Sequence, residues 1–467
     1  MLKLPARGSA AFSVLIGPNG SGKSRALAAA LDEMILLERL RGEWYEGRIR
    51  RVTSSNDEDV ATIVYRLEGK IYEVKRVGKS VRCWVDSETC TLNELKLPKK
   101  ALAFAHLPVD RFIFSRNERD GFYSYFGLRQ ATNLTTTGAL ELKIILSLFK
   151  GYSRRDYPRK IEEWLKLLGL STPLRIRIVA NSEFFEAGNI EDFAAITAEA
   201  INRRRGRGRA DFRWSPESLD TCWVLFCQLK KHVTIERRAS FAWLTIDENF
   251  FRNGPPPEFW IFGLEEARRH RLISQMNLLV RRHQVEEEFI NLSSGEQQIF
   301  GTVSRLLSEI EQNSLIVIDE PEVSLHPQWQ RLYLPTLRRS LADFPSTHVL
   351  IATHSHFLVS DLEPEHATLL VPSLTGPGDF EEFDGDVYGR SPENLLYRVF
   401  GIGVVGNFQV ERDMGVALQM LSDRIEFNLP ELQKIFSRLK RIDSGDNPAF
   451  SKILDEIKTG IEQASHD

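Results

Sequence analysis

Gly17-Pro18-Asn19-Gly20-Ser21-Gly22-Lys23-Ser24 satisfies the pattern G-x-x-x-x-G-K-[ST]. Glycines so spaced let successive backbone N–H groups curl around a β-phosphate, the lysine reaches the β- and γ-oxygens, and the final hydroxyl can ligate Mg2+. The chemistry is the binding of ATP with Mg2+, and Gly17, Asn19, Gly20, Ser21, Gly22, Lys23, Ser24 and Arg25 are the candidate nucleotide contacts. "LIVIDEPE", Leu315 to Glu322, ends an apolar run in two carboxylates. Asp319 suits the Mg2+ shell beside Ser24, and Glu320 suits the polarisation of an attacking water. Asp247 and Glu248 in "FAWLTIDEN" form a second Asp-Glu pair, without a serine-glycine helix before it or a proline after it, and read as a strand end. "ATHSHFLVS" places His354, with His356 second, after another apolar strand. In "NLSSGEQQIF", Ser293, Ser294 and Gly295 head a segment whose Ile299, Phe300, Val303, Leu306, Leu307 and Ile310 recur at helical spacing. Unpaired N–H groups at such a helix start favour an anion.

These residues need a scaffold. "AFSVLIG" reads as a buried strand, and strand, glycine loop and helix "RALAAALDEMILLERL" is the context a phosphate loop requires. From about 45 to 106 the pattern alternates, with a hairpin turning near Glu68-Gly69-Lys70 and a buried strand at "ALAFAHLP". From about 138 to 290 it becomes helical, in "TGALELKIILSLF", "KIEEWLKLLGL" and "EEARRHRLISQMNLLV". The rhythm then returns: serine-glycine helix, strand "SLIVIDE", helix, strand "HVLIATHS". The expected fold class is α/β, a mixed or parallel sheet completed from both ends of the chain, with a large inserted helical lobe. The expected division is 1–137 N-terminal ATPase lobe, 138–290 inserted helical lobe, 291–390 C-terminal ATPase lobe and 391–467 helical C-terminal region. That last region is expected to open at Ser391-Pro392-Glu393, an N-cap with proline in the first turn.

A chain of 467 residues, 42% apolar, can bury a large core and has room for two or three domains. Lys and Arg number 61 against 64 Asp and Glu, so only local charge can signal a polyanionic partner. No stretch is long and apolar enough for a membrane span or a signal-peptide core, and a cytoplasmic location without a membrane partner is expected. Cys83, Cys90, Cys222 and Cys227 lack metal-ligand spacing and read as inert thiols. Arg203, Arg204, Arg205, Arg207 and Arg209, with Phe212 and Trp214 behind them, are candidate nucleic-acid contacts, although glycine-spaced arginines are equally the composition of a solvated loop. Arg268, Arg269, Arg271, Arg281 and Arg282 read as the wet face of an apolar helix.

The order phosphate loop, "LSSGE", "IVIDEPE", "SLHP", "ATHS" resembles the ABC-type ATPase superfamily. The resemblance implies that Ser293, Ser294 and Gly295 cap the γ-phosphate of ATP held by a second copy. Ser324, Leu325 and His326 would then cross the interface, and His354 would be the switch histidine. It implies a homodimer or a higher even-numbered homo-oligomer. Ser294 stands where glycine is commoner and Glu296 where glutamine is, as in the non-transporter branch of repair and defence ATPases. The glutamine that links nucleotide to the helical lobe has only Gln130 as a weak candidate. "ALAFAHLPVDRFIF", "FYSYFGLRQATN" and "SPENLLYRVFGI" resemble prokaryotic defence ATPases of the Septu and retron-associated type, which implies control of a separately encoded nuclease, HNH in type. The rivals are a RecF-like repair or recombination ATPase, and an ATPase with its own TOPRIM-like nuclease site at Asp384 and Asp386.

Overall fold

Ala11–Ile16 is buried at every position, as a strand must be when it has neighbours on both edges and covered faces on both sides. In the computed structural model the described residues are 10–41, 60–78, 80–107, 110–114, 121–127, 137–205, 212–236, 239–360, 362–363, 365–373, 378–383, 408–422, 426–440 and 448–464. Ala11–Ile16 sits inside a seven-stranded sheet whose order is Phe380–Glu382, Ala367–Pro372, Ala11–Ile16, His348–Thr353, Ser314–Asp319, Lys100–Ala105, Tyr123–Tyr125. All neighbours are parallel except the edge strand Phe380–Glu382. The fold is α/β with a mixed, mainly parallel sheet. Leu15, Ala103, Val317 and Leu350 face the helix Lys23–Arg41 and share a core with its Leu27, Leu31 and Met34. Val14, Ile316, Ile318 and Ile351, on the opposite face, are equally buried.

The register decides where chemistry can happen. Ile16 lies beside Thr353, and Asp319 lies between Ala352 and Ala105. The strands therefore end together, delivering the glycine loop 17–22, the carboxylates and His354 to one edge, where open parallel sheets bind ligands.

Val60–Leu67 and Lys70–Val77 form the expected hairpin, and Glu68 (φ 50°) with Gly69 (φ 84°) makes its two-residue turn. With Ser80–Val85 and Glu88–Cys90 they make a four-stranded antiparallel sheet. Arg76 from this sheet grips Glu33 of the phosphate-loop helix through Nε and a terminal nitrogen, both at 2.8 Å, and both residues are buried.

The inserted segment departs from the helical expectation. Besides helices Thr137–Tyr152, Tyr157–Leu167, Ile190–Arg205, Pro216–Leu229 and Pro257–Arg269 it holds a five-stranded antiparallel sheet. The strand order is Val285–Glu288, Ile273–Arg282, Ser171–Ala180, Ala239–Ile246, Val233–Glu236. "EEARRHRLISQMNLLV", expected to be one helix, breaks at Arg271 (φ 56°), and its second half is the strand Ile273–Arg282. Its partner Ser171–Ala180 alternates half-buried and buried residues and lies about a hundred positions away, so the pairing is not a local property.

Residues Ser391–Asp467 form a separate compact unit. Its described helices are Phe408–Leu421, Leu429–Lys440 and Pro448–Ala464, with a core of Ala417, Met420, Leu432, Ile435, Leu439, Leu454 and Ile457. The expected helix start at Ser391-Pro392-Glu393 lies outside the described residues.

Breaking one side of a buried, hydrogen-bonded ion pair costs roughly 3–5 kcal/mol. Arg76→Ala is therefore expected to lower stability by that order in chemical denaturation, and adding Glu33→Ala should cost less than the sum of the two single changes. Additive effects would show that the pair does not couple sheet to helix.

Candidate active site

The loop after Ala11–Ile16 turns on Gly20 (φ 83°) and Gly22 (φ 95°), conformations that a side chain would strain. It delivers Lys23 to the first turn of its helix. Lys23 is 4% exposed and folded back: Nζ donates to Gly17 O at 3.0 Å and lies 2.7 Å from His354 Nε2. Glu320 Oε1 is 3.8 Å from the same ammonium and 3.1 Å from His354 Nε2. Ser24 Oγ donates to Asp319 Oδ1 at 2.9 Å. The structure thus brings together Lys23, Ser24, Asp319, Glu320 and His354. Asn19, Gly20 and Arg25 are exposed around them, and Gly17 is buried beneath. His356 begins the short helix His356–Val359 and stacks on Phe357.

Glu320 adopts φ 51°, a left-handed conformation rare for its residue type, with its N–H bonded to Ala352 O at 2.9 Å. Backbone strain of about 1–3 kcal/mol persists only where the surroundings enforce it, and functional sites collect it. The turn folds Glu322 back, and its Oε1 accepts the His354 N–H at 2.5 Å. Glu322 was not legible as a site residue: its place depends on the turn at Glu320, and only its two-residue spacing from Glu320 hints at a paired carboxylate.

Burial dominates the titration of this cluster. It pushes Asp319 up to about 6 against the opposing pull of Ser24 and Lys23. Burial, then the neighbouring Glu322, pushes Glu320 up to about 9. Burial lowers Lys23, and burial followed by Lys23 lowers His354. Burial and Lys23 thus favour the neutral imidazole, whose Nε2 lies within reach of both Lys23 Nζ and Glu320 Oε1.

The residues fit a triphosphate with Mg2+. Hydroxyl and carboxylate oxygens are the hard donors Mg2+ takes; among the described residues the Lys23 ammonium has carbonyl oxygens and the His354 ring within hydrogen-bond distance and no carboxylate, and Ser21 Oγ is buried without a hydrogen-bond partner.

Ser293 caps the helix Ser294–Glu309 in a capping box with Glu296, whose Oε2 accepts the Ser293 N–H at 2.8 Å. Arg282 holds the other Glu296 oxygen at 2.5 Å, which gives the glutamate at this position a structural reason. Ser293 and Ser294 are exposed, whereas Gly295 is buried. A Cβ on Gly295 would lie 2.4 Å from Ser324 O, so glycine is needed for close packing. Gln298 donates to Pro321 O at 3.0 Å, bracing the helix on the loop that follows the carboxylates. Among the described residues, no hydrogen bond joins Ser293, Ser294 or Gly295 to Lys23, Ser24, Asp319 or His354. Leu325 is buried in the core and His326 caps the helix Pro327–Ser340.

Other sequence candidates resolve differently. Asp247 caps the helix Glu248–Asn253 by accepting the Phe250 N–H. Arg203 pairs with Glu199 at 3.5 Å and Arg204 donates to Arg271 O, while the Arg205 side chain, Arg207 and Arg209 lie outside the described residues, as do Gln130, Asp384 and Asp386. Phe212 and Trp214 pack on each other and on His270 in edge and tilted contacts. Arg269, Arg281 and Arg282 are ion-paired to Glu266, Glu286 and Glu287, and the last two arginines stand on a strand rather than a helix. No described helix is long and apolar enough to cross a membrane.

A family model described as "AAA domain, putative AbiEii toxin, Type IV TA system" matches residues 149–360, less than half of the chain. Protein ea59 of Escherichia phage lambda is 33% identical over 78 residues, 17% of this chain and 15% of that protein. The retron Ec83 probable ATPase of Escherichia coli is 26% identical over 106 residues, 20% of this chain and 19% of that protein. The chain thus spans less than a fifth of the length of either curated relative. Among solved structures, the SMC head domain from Thermotoga maritima covers 81% of this chain and 91% of its own, with TM-score 0.34 and 10% identity. The Smc head domain of Pyrococcus furiosus bound to the C-terminal domain of ScpA covers 80% and 89%, with TM-score 0.31 and 9% identity.

A carboxyl raised by burial stabilises the fold below its unfolded pKa, and that stability is lost as pH rises through the folded value. For Glu320 the window runs from about 4.5 to about 9. Glu320→Gln should therefore melt higher than the parent at pH 8, with the gap closing towards pH 4.5. An equal gap at both ends of that range would contradict a protonated, buried Glu320.

Proposed function

We propose that this chain is an ABC-like ATPase that closes around ATP as a pair of copies, and that the closed state controls a separately encoded nuclease, HNH in type, in antiphage defence. The observation that carries the reading is the convergence of Lys23, Ser24, Asp319, Glu320 and His354 at one sheet edge, while the exposed Ser293 and Ser294 stand apart from that cluster on the same chain. Ser293–Gly295 then complete the site of a second copy, where the positive end of the helix and small side chains allow close approach to phosphate. The similarity to a retron ATPase and the toxin–antitoxin description of the matching family model support the defence setting.

In this reading the glycine loop cradles the phosphates and Lys23 moves from Gly17 O and His354 onto their oxygens. Ser24 and Asp319 hold Mg2+, which when bound neutralises phosphate charge. Glu320, once ionised, takes a proton from the attacking water, and the nearby Lys23 charge favours that ionised form. His354, held by Glu322 through its backbone, is placed to sense the terminal phosphate. In the free chain burial and Glu322 favour the protonated form of Glu320, and in this reading the base is armed as the site fills.

Losing a general base costs about 10²–10⁴ in rate. Glu320→Gln is expected to slow ATP hydrolysis by that range while retaining ATP and accumulating as a dimer in light scattering; turnover at the parental rate would remove Glu320 from the role. The shared site has its own test. Lys23→Ala and Ser294→Arg chains should each be inactive alone, yet regain hydrolysis on mixing, because one site in the mixed pair keeps both intact halves. A mixture as inactive as its components would rule against completion of the site by a second copy.

A further inference from the structure

The turn between helices Thr137–Tyr152 and Tyr157–Leu167 faces the segment 251–257, and between them lies an open cavity of about 530 Å³. Three arginines line it: Arg154, Arg155 and Arg252. Tyr152 and Phe251, stacked at 5.8 Å, give it a flat aromatic wall, and Pro256 and Pro257 also line it. No carboxylate is among its lining residues. Arg155 and Arg252 are exposed, and no ion pair engages either of them among the described residues. Arg154 is half-buried and donates to Leu307 O at 2.7 Å and Ile310 O at 2.5 Å. Those carbonyls close the C-terminal end of the helix whose start carries Ser293–Gly295.

We infer that this cavity is a second ligand site, for a phosphate-bearing ligand of mononucleotide size, and that its occupation is felt at the end of the Ser294–Glu309 helix. Guanidinium forks match phosphate geometry, and the exposed Arg155 and Arg252 bring positive charge to an anion, while the charge of Arg154 is shared with the nearby Glu309 and Glu311. Flat aromatic and proline walls suit a base or sugar better than a bare ion, and the volume falls within the range of small-molecule sites. Burial lowers the Arg154 pKa against the opposing pull of Glu309 and Glu311, in line with its half-buried position beside the helix carbonyls. A bound anion competes with those carbonyls for the same guanidinium.

The test uses the full chain carrying Lys23→Ala, so that binding does not depend on the phosphate loop, with AMP as the probe in calorimetry. AMP should bind, and adding Arg155→Ala and Arg252→Ala should raise Kd about tenfold or more, since each removes a charge-assisted contact. AMP should also change amide exchange at Leu306–Ile310 in the first chain and not in the triple variant. No binding, or binding unaffected by the two arginines, overturns the site. Binding without a change in exchange overturns its connection to the helix. A poly-glutamate peptide that binds with the same arginine dependence where AMP does not would overturn the nucleotide assignment.

Discussion

A parallel ladder with its strand ends in register is the constraint from which the site follows. One strand from the start of the chain joins two from far along it, and the ladder makes Ile16, Asp319 and Thr353 finish at one edge. Had Ser314–Asp319 slipped by one residue, Asp319 would have pointed to the opposite face and Ser24 would have lost its partner. The buried apolar residues on both faces fix that register, so the hydrophobic pattern of the sheet also sets the geometry of the charges.

Those charges sit where water is scarce. Lys23, Asp319 and Glu320 are all buried, and the fold tolerates them by pulling each towards neutrality rather than by pairing them fully. Taking ions out of water is expensive, and an opposing charge repays the expense only with good geometry. A cluster held this way is strained electrostatically in the free chain, and the proposed triphosphate with its cation would relieve that strain. The left-handed backbone at Glu320 belongs to the same economy: local strain is concentrated where chemistry is proposed.

What the sequence revealed was local. The glycine loop, the two carboxylates after an apolar run, the histidine after another, and the two-residue turn at Glu68-Gly69 all depend on neighbours a few positions away. Ser293-x-x-Glu296 is likewise a capping-box spacing readable by eye, and it accounts for the glutamate in that motif. The five-stranded sheet of the insert was not readable, because Ser171–Ala180 finds its neighbours only after long excursions and the helical periodicity of 265–280 runs across a break at Arg271. Glu322 was hidden for a related reason, since a turn of unusual handedness, not spacing along the chain, carries it to His354.

The position of Ala11–Ile16 between His348–Thr353 and Ala367–Pro372 has a consequence for biosynthesis. Both of its neighbours are made more than three hundred residues later, which at ribosomal speed is a wait on the order of tens of seconds. During that interval the phosphate loop has no sheet to stand on. A nascent or truncated chain therefore lacks the sheet edge at which Lys23, Ser24, Asp319, Glu320 and His354 meet, and the proposed nucleotide site forms only when translation has nearly reached the end of this sheet.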